Sequence, residues 1–139
     1  MHVLIDFETG GRAYNGKILN MAYTAFDMNE VEDIEEIKSR VQFNKLNFNA
    51  PDQDHRVFDK DTLQWWKETA PDLIAETFGK PEEGITLKEG LLLFADFLGE
   101  YYDSNSCIWA RGTSFDITIL DIEYDRLFGK APYPFWMTQ

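Results

Sequence analysis

The sequence has one cysteine, two histidines and no long run of apolar residues. The lone Cys107 excludes an internal disulfide bond, and with His2 and His55 it forms no Cys/His cluster of the kind that binds zinc. No apolar segment approaches the length that crosses a bilayer, and the N-terminus shows neither the basic stretch nor the apolar core of a secretory signal. We therefore expect a protein of a reducing cytoplasm with no membrane partner.

Basic residues are also scarce, because 13 Lys and Arg stand against 25 Asp and Glu and give a formal net charge of −12. This balance is unfavourable for a protein that binds nucleic acid, since Lys and Arg normally neutralise the phosphates. A metal-dependent nuclease is one exception, because its clustered carboxylates hold divalent cations that meet the phosphate in their place. Charge alone favours other classes of protein.

The apolar residues that are present predict one globular domain over residues 1–139, since 44% of the chain is apolar. His2–Thr9 and Ile18–Phe26 have the apolar, β-branched character of buried strands. Residues 37–43 alternate, with Ile37, Val41 and Phe43 on one side, and predict a half-exposed third strand. The first third of the chain is therefore expected to form a three-strand meander.

The rest of the chain shows helical signals. Asp59 or Asp61 is expected to cap a helix that carries two tryptophans. Pro71 is expected to start another helix, which ends at Gly79. Residues 86–89 have the capping-box spacing and are expected to open a long amphipathic helix. Residues 106–110 predict a short strand. The expected buried stripe of the helix that follows it is Phe115, Ile119 and Ile122. Together these elements predict an α/β fold with a mixed sheet and flanking helices.

Asp6 and Glu8 are the first candidates for chemistry. They stand two residues apart in a predicted strand, so both carboxylates project from one face while Phe7 points to the other. Two adjacent acids at the end of an apolar strand repel each other unless a cation relieves them, and oxygen ligands suit Mg²⁺ or Mn²⁺. Solvated acids at a strand end explain the pair equally well.

Asp116 is the third candidate. It is expected in the first turn of a helix that follows the predicted strand 106–110 and a glycine turn. An acid in a first turn also stabilises the helix dipole, and this reading stays open on local grounds.

Residues 5–10 (Ile-Asp-Phe-Glu-Thr-Gly) resemble the first motif of the DEDD-type 3'-5' exonucleases, and residues 112–120 (Gly-Thr-Ser-Phe-Asp-Ile-Thr-Ile-Leu) resemble their second. Residues 61–66 (Asp-Thr-Leu-Gln-Trp-Trp) resemble a stretch of the branch that includes the DexA-like, ribonuclease T-like and bacterial exoribonuclease domains. The resemblance implies a ribonuclease-H-like mixed sheet, in which a three-strand antiparallel meander is joined by a parallel strand. It also implies hydrolysis of single-stranded or 3'-overhanging DNA or RNA in a bacterial cell or a phage-infected host.

By the same resemblance, Asp6 would bridge two Mg²⁺ or Mn²⁺ ions, Glu8 would hold the ion that binds the attacking water, and Asp116 would complete the shell. Two ions about 3.5 to 4 Å apart can clamp a scissile phosphate. The residues expected to contact the substrate are Thr9, Gly10, Gly11, Trp65, Trp66 and Phe115. A simple turn also explains the glycines, and core packing is the alternative for at least one tryptophan.

Two parts of the family pattern are missing, the fourth carboxylate and a histidine base that precedes it by five positions. Neither His2 nor His55 has an acid at that spacing. We expect the final strand and helix of the domain to be absent, and the 139-residue chain to be weak or inactive where the complete domain is active. The alternatives are a catalytically dead domain that binds nucleic acid or a protein, and a phosphomonoesterase. An exposed sheet edge would also permit a homodimer. The sequence does not decide between DNA and RNA as the substrate.

Overall fold

The computed structural model describes residues 1–134. Its strands are β1 (His2–Thr9), β2 (Ile18–Phe26), β3 (Gln42–Lys45) and β4 (Ile108–Trp109). They form one mixed sheet in the order β3-β2-β1-β4, in which β4 runs parallel to β1. The predicted bounds of the first two strands are confirmed.

The helices are α1 (Ile34–Ser39), α2 (Lys60–Thr69), α3 (Ile74–Phe78), α4 (Leu87–Tyr101) and α5 (Thr118–Phe128). Asp59 caps α2 by accepting a hydrogen bond from the Asp61 backbone N–H at 3.1 Å. The Thr86 hydroxyl accepts one from the Glu89 N–H at 3.1 Å, which places the start of α4 as the capping pattern predicts. None of the helices within residues 1–134 has the length and hydropathy to cross a membrane.

The third strand differs from its prediction, because Ile37 lies in α1 and β3 is limited to Gln42–Lys45. Asp33 caps α1 by accepting from the Glu35 N–H at 3.3 Å, and acids in the first turn favour the helix dipole. An alternating pattern of seven residues is too short to exclude a helix, and the cap decides the outcome at this position.

The described chain divides into two compact units. Unit 1 contains Met1–Asp6, Ala22–Phe43 and the chain from Leu91 onward, and unit 2 contains Phe7–Met21 and Asn44–Gly90. The organisation of the chain as a single domain stays a prediction.

In unit 1, α4 packs against β2 and α5. The Tyr23 ring meets the rings of Phe94 and Phe97 edge-on, with centroids 5.0 and 4.9 Å apart. The Tyr124 hydroxyl donates to the Leu91 carbonyl at 2.6 Å and joins α5 to α4. Leu91, Phe94 and Leu98, which follow one another at helical spacing along α4, are buried in this core.

The predicted stripe of α5 is wrong at Ile122, which is exposed. The buried positions of α5 are Ile119, Leu120, Glu123 and Tyr124. A π-helical turn precedes α5 and widens the helix by about one residue per turn, so the phase expected from a regular helix is shifted.

In unit 2, buried polar side chains fix the turn between β1 and β2. The Gln53 carboxamide accepts from the Ile18 N–H at 2.8 Å and donates to the Ile18 carbonyl at 2.9 Å. The buried Arg56 donates to the carbonyls of Tyr14 and Gly16 at 2.7 and 2.9 Å. These bonds satisfy backbone groups of the turn and of the first residue of β2, and they help to hold the turn in one shape.

Candidate active site

The carboxyl end of β1 presents its side chains alternately. Val3, Ile5 and Phe7 are buried, whereas Asp6 is exposed and Glu8 half-buried. Because successive side chains of a strand point to opposite faces, Asp6 and Glu8 share the face opposite Phe7. The two carboxylates that the sequence places on one face of β1 can therefore be reached by a ligand from solution.

The environment of Asp6 affects its ionisation in two opposing ways. Partial desolvation raises the pKa of Asp6 above its ordinary value, and the positive charge of Arg111 acts against this rise. A carboxylate that has lost part of its hydration gains from a nearby cation. Asp6 therefore remains a candidate ligand for a divalent ion.

Asp116 lies after β4, in a π-helical turn over Thr113–Ile117 that leads into α5. Its side chain is buried at 4% exposure, and its backbone N–H donates to the Gly112 carbonyl at 3.1 Å. Single π-helical turns are rare and are often found at functional sites. Since β4 is parallel to β1 and pairs with its first half, both strands run toward the same edge of the sheet, and Asp116 follows β4 at that edge.

Within residues 1–134, no three His, Cys, Asp or Glu side chains are grouped closely enough to hold a metal ion. The donor chemistry of the three candidate acids suits Mg²⁺ or Mn²⁺, but the described chain does not assemble them into one cluster. The fit to a metal centre is therefore partial: it rests on Asp6 and Glu8, which share one face of β1.

The turn after Glu8 is closely packed in unit 2. The Thr9 hydroxyl donates to the Gly11 carbonyl at 2.7 Å, and the Gly10 carbonyl accepts from the Asp59 N–H at 2.9 Å. A Cβ atom on Gly10 would lie 2.5 Å from Cδ1 of Phe58. Glycine at position 10 thus lets the Phe58 ring lie directly against the backbone.

Phe58 is a residue that the sequence patterns did not single out. It lies directly before the cap of α2, where an apolar residue commonly packs against the first turns of the helix. This position in the sequence could have identified Phe58 as a packing residue. Its ring contacts Phe48 edge-on at 5.2 Å.

We expect Gly10→Ala to destabilise the protein by about 1–3 kcal/mol, because the new methyl group must displace the Phe58 ring. In a Phe58→Ala background the same change should cost less than half as much, since the obstructing ring is gone. Urea denaturation of the four proteins measures this coupling. Equal costs in both backgrounds would show that Phe58 is not what requires glycine at this position.

The two tryptophans of α2 have different environments. Trp66 is 7% exposed, packs edge-on against Phe78 and donates from its indole nitrogen to the Thr9 carbonyl at 3.4 Å. Trp65 is 53% exposed. Trp66 therefore belongs to the core of unit 2, and Trp65 is the tryptophan that a ligand could reach.

His2 is used to hold β4 in unit 1. Its Nδ1 accepts hydrogen bonds from the Cys107 backbone N–H at 3.0 Å and from the Trp109 indole at 3.2 Å. With Nδ1 engaged in this way, His2 holds β4 in place.

A sequence model of the 3'-5' exoribonuclease Rv2179c-like domain matches residues 1–139, the whole chain. The chain belongs to this family. The exodeoxyribonuclease of Enterobacteria phage T4 is 34% identical to this Rv2179c-like domain over 122 residues, which cover 84% of the chain and 52% of the phage protein. The chain thus spans about half the length of that relative.

The nuclease domain of 3'hExo, a DEDDh family member solved with bound rAMP, has a similar fold. It matches the Rv2179c-like domain with a TM-score of 0.58 at 14% identity, over 96% of this chain and 62% of that one. The predicted ribonuclease-H-like mixed sheet with flanking helices is confirmed. The predicted membership of a family of 3'-5' exonucleases is confirmed by the match of the family model to the whole chain.

Proposed function

We propose that this Rv2179c-like domain hydrolyses phosphodiester bonds at the 3' ends of nucleic acids with the help of divalent metal ions. The observation that carries the proposal is the pair of carboxylates, Asp6 and Glu8, on the accessible face of β1 in a chain that matches an exoribonuclease family over its whole length. A partly desolvated acid beside a second acid is a favourable ligand for a hard cation.

Asp6, Glu8 and Asp116 would hold the ions, which we propose are two Mg²⁺ or Mn²⁺ ions. When bound, such ions supply a hydroxide nucleophile and stabilise the departing 3' oxygen. The chain itself contributes the fixed strand that carries Asp6 and Glu8, and the rigid turn at Thr9, Gly10 and Gly11 that would receive the terminal nucleotide. Phe115, half-buried beside Asp116, is proposed as a further substrate contact.

Single-stranded or 3'-overhanging DNA or RNA is the proposed substrate, and the cytoplasm of a bacterial or phage-infected cell the proposed place of action. The family description specifies ribonucleic acid and the phage relative deoxyribonucleic acid, so both are candidates. The homodimer stays a prediction, and the exposed Phe43 on the outer strand β3 is the feature that supports it.

Digestion of 5'-labelled single-stranded DNA and RNA by the full-length protein tests the function. With Mn²⁺ we expect a ladder that shortens from the 3' end, and with EDTA we expect none. Products that arise from internal or 5' cleavage would contradict the proposal.

Trp65→Ala should raise the KM for single-stranded substrate by about fivefold to a hundredfold with little loss of stability, because a stacked base contributes about 1–3 kcal/mol. Trp66→Ala is the contrasting variant, and we expect it to lower the free energy of unfolding by about 3–5 kcal/mol. Steady-state kinetics and urea denaturation separate the two effects. An unchanged KM in Trp65→Ala would remove Trp65 from the substrate site.

The second candidate is a nuclease-like domain that binds nucleic acid or a protein partner without hydrolysis. The absence of a three-ligand cluster from residues 1–134 favours it. The same digestion assay distinguishes it, because this candidate predicts binding of the labelled strand and no shortening with any divalent ion.

A further inference from the structure

The segment that joins β2 to α1 presents several large apolar side chains to water. Met28 and Ile34 are 58% and 59% exposed, and Val31 is fully exposed. These three side chains belong to unit 1 and form what we call the α1 surface. Within residues 1–134, α1 itself contains no buried residue. Single exposed apolar residues are common, but a group of them indicates a surface that another molecule covers.

Side-chain bonds fix the backbone that carries the α1 surface. The Glu32 carboxylate accepts from the Asp27 N–H at 2.7 Å and pairs with Arg40, whose guanidinium also donates to the Ala25 carbonyl at 2.9 Å. The side chains of Glu32 and Arg40 are only 8% and 17% exposed. The bond from Asp27 to Glu32 closes the loop over residues 28–31 directly before α1. A loop that is fixed in this way loses little conformational entropy when it binds, which favours a docking role.

The charges around the α1 surface determine which kind of partner it fits. Lys38 and Arg40, the basic residues of the segment over residues 27–40, are each paired with a glutamate. The exposed acids of the same segment are Glu30, Asp33, Glu35 and Glu36. Their negative potential opposes the binding of nucleic acids and of anionic membranes. It also opposes a second copy, because in a two-fold dimer the same acidic patch would face itself.

We propose that the α1 surface docks a protein partner in which basic residues surround an apolar pocket. Val31 is the central anchor, because it is fully exposed and lies between Met28 and Ile34 in the chain. The apolar contacts supply affinity, and the surrounding acids supply specificity and a faster encounter with a basic partner. This role goes beyond the proposed hydrolysis and does not depend on it, since the α1 surface contains no candidate metal ligand.

A random library of short peptides displayed on phage tests the proposal without a known partner. The library is selected on the immobilised full-length protein, and the recurrent peptides are synthesised with a fluorescein label. We expect these peptides to carry several Lys or Arg around apolar residues. Their Kd, measured by fluorescence anisotropy, should rise with salt concentration, because salt screens the attraction between opposite charges.

Val31→Ser and Ile34→Ser remove apolar contacts without a change in charge. Each should raise Kd about tenfold, as expected when an anchor residue loses its contact. Leu93→Ser is the matched control, because Leu93 is a 45% exposed apolar residue of α4 in the same unit, and its Kd should equal that of the wild type. Urea denaturation checks that the variants stay folded, and Val31→Ser should digest the labelled strands at the wild-type rate.

The charge requirement is tested by Glu30→Lys, which should also raise Kd about tenfold. Glu82→Lys makes the same change at an exposed acid of unit 2 and should have a smaller effect. The proposal is overturned if no peptide recurs, if the recurrent peptides lack basic residues, or if Val31→Ser and Leu93→Ser bind them equally well. Light scattering of the wild type that shows a dimer, and of Val31→Ser that shows a monomer, would assign the surface to a second copy instead.

Discussion

Asp6→Asn should lower the rate of 3' end digestion by the full-length protein by about a thousandfold. Asparagine keeps the size of the side chain but removes the negative charge, so the affinity for a divalent ion falls. The ions contribute several kcal/mol to the transition state, and about 1.4 kcal/mol corresponds to a tenfold change in rate. Single-turnover digestion of the labelled strands at saturating Mn²⁺ measures the loss.

Glu36→Gln provides the control, because Glu36 is an exposed acid of α1 and its replacement makes the same change in net charge. Its rate should stay within about twofold of the wild type, since an isolated surface charge contributes little. An Asp6→Asn protein that digests the strand at the wild-type rate would remove the acid pair from the mechanism.

Leu91→Ala should lower the free energy of unfolding by about 2–5 kcal/mol, the range for a leucine truncated in a packed core. Leu91 is 0% exposed and lies in α4, where the Tyr124 hydroxyl bonds to its carbonyl. The loss is large for a domain whose total stability is about 5–15 kcal/mol. Urea denaturation followed by tryptophan fluorescence gives the value.

Leu93→Ala is the matched variant, two positions along the same helix. Leu93 is 45% exposed, so its truncation removes little buried area and should cost less than about 1 kcal/mol. Similar losses in the two variants would mean that the buried face of α4 is assigned incorrectly.

The regular elements were predictable where a local signal specifies them. β1 and β2 are apolar runs bounded by turns, and Asp59 and Thr86 carry the capping side chains that start α2 and α4. Their boundaries depend on neighbouring residues alone, and they agree with the structure.

Other features depend on contacts between distant parts of the sequence. A π-helical turn differs from a regular helix by one residue in its hydrogen bonding, and no residue type specifies it, so the phase of α5 and the exposure of Ile122 were mispredicted. Phe58 gains its importance from lying against Gly10, 48 positions earlier in the chain.

The candidate site shows the same division. Asp6 and Glu8 share a face because side chains alternate along a strand, so their spacing of two residues was enough to predict it. Whether Asp116 reaches that pair depends on side-chain positions set by tertiary packing, and no three-ligand cluster is formed within residues 1–134. Its part in the metal centre stays a proposal.

The Gln53 side chain accepts from the Ile18 N–H and donates to the Ile18 carbonyl. It thereby makes the same two hydrogen bonds that the backbone of a neighbouring strand would make. These two bonds oppose fraying of the first residue of β2, which is common at the end of a strand. Arg56, three positions after Gln53, holds the preceding turn, so the turn and the segment over residues 53–56 should move as one body. Unit 2 thus ties its glycine-containing turn to the segment over residues 53–56 through side-chain bonds, so a substitution at Gln53 or Arg56 would act on the turn as well.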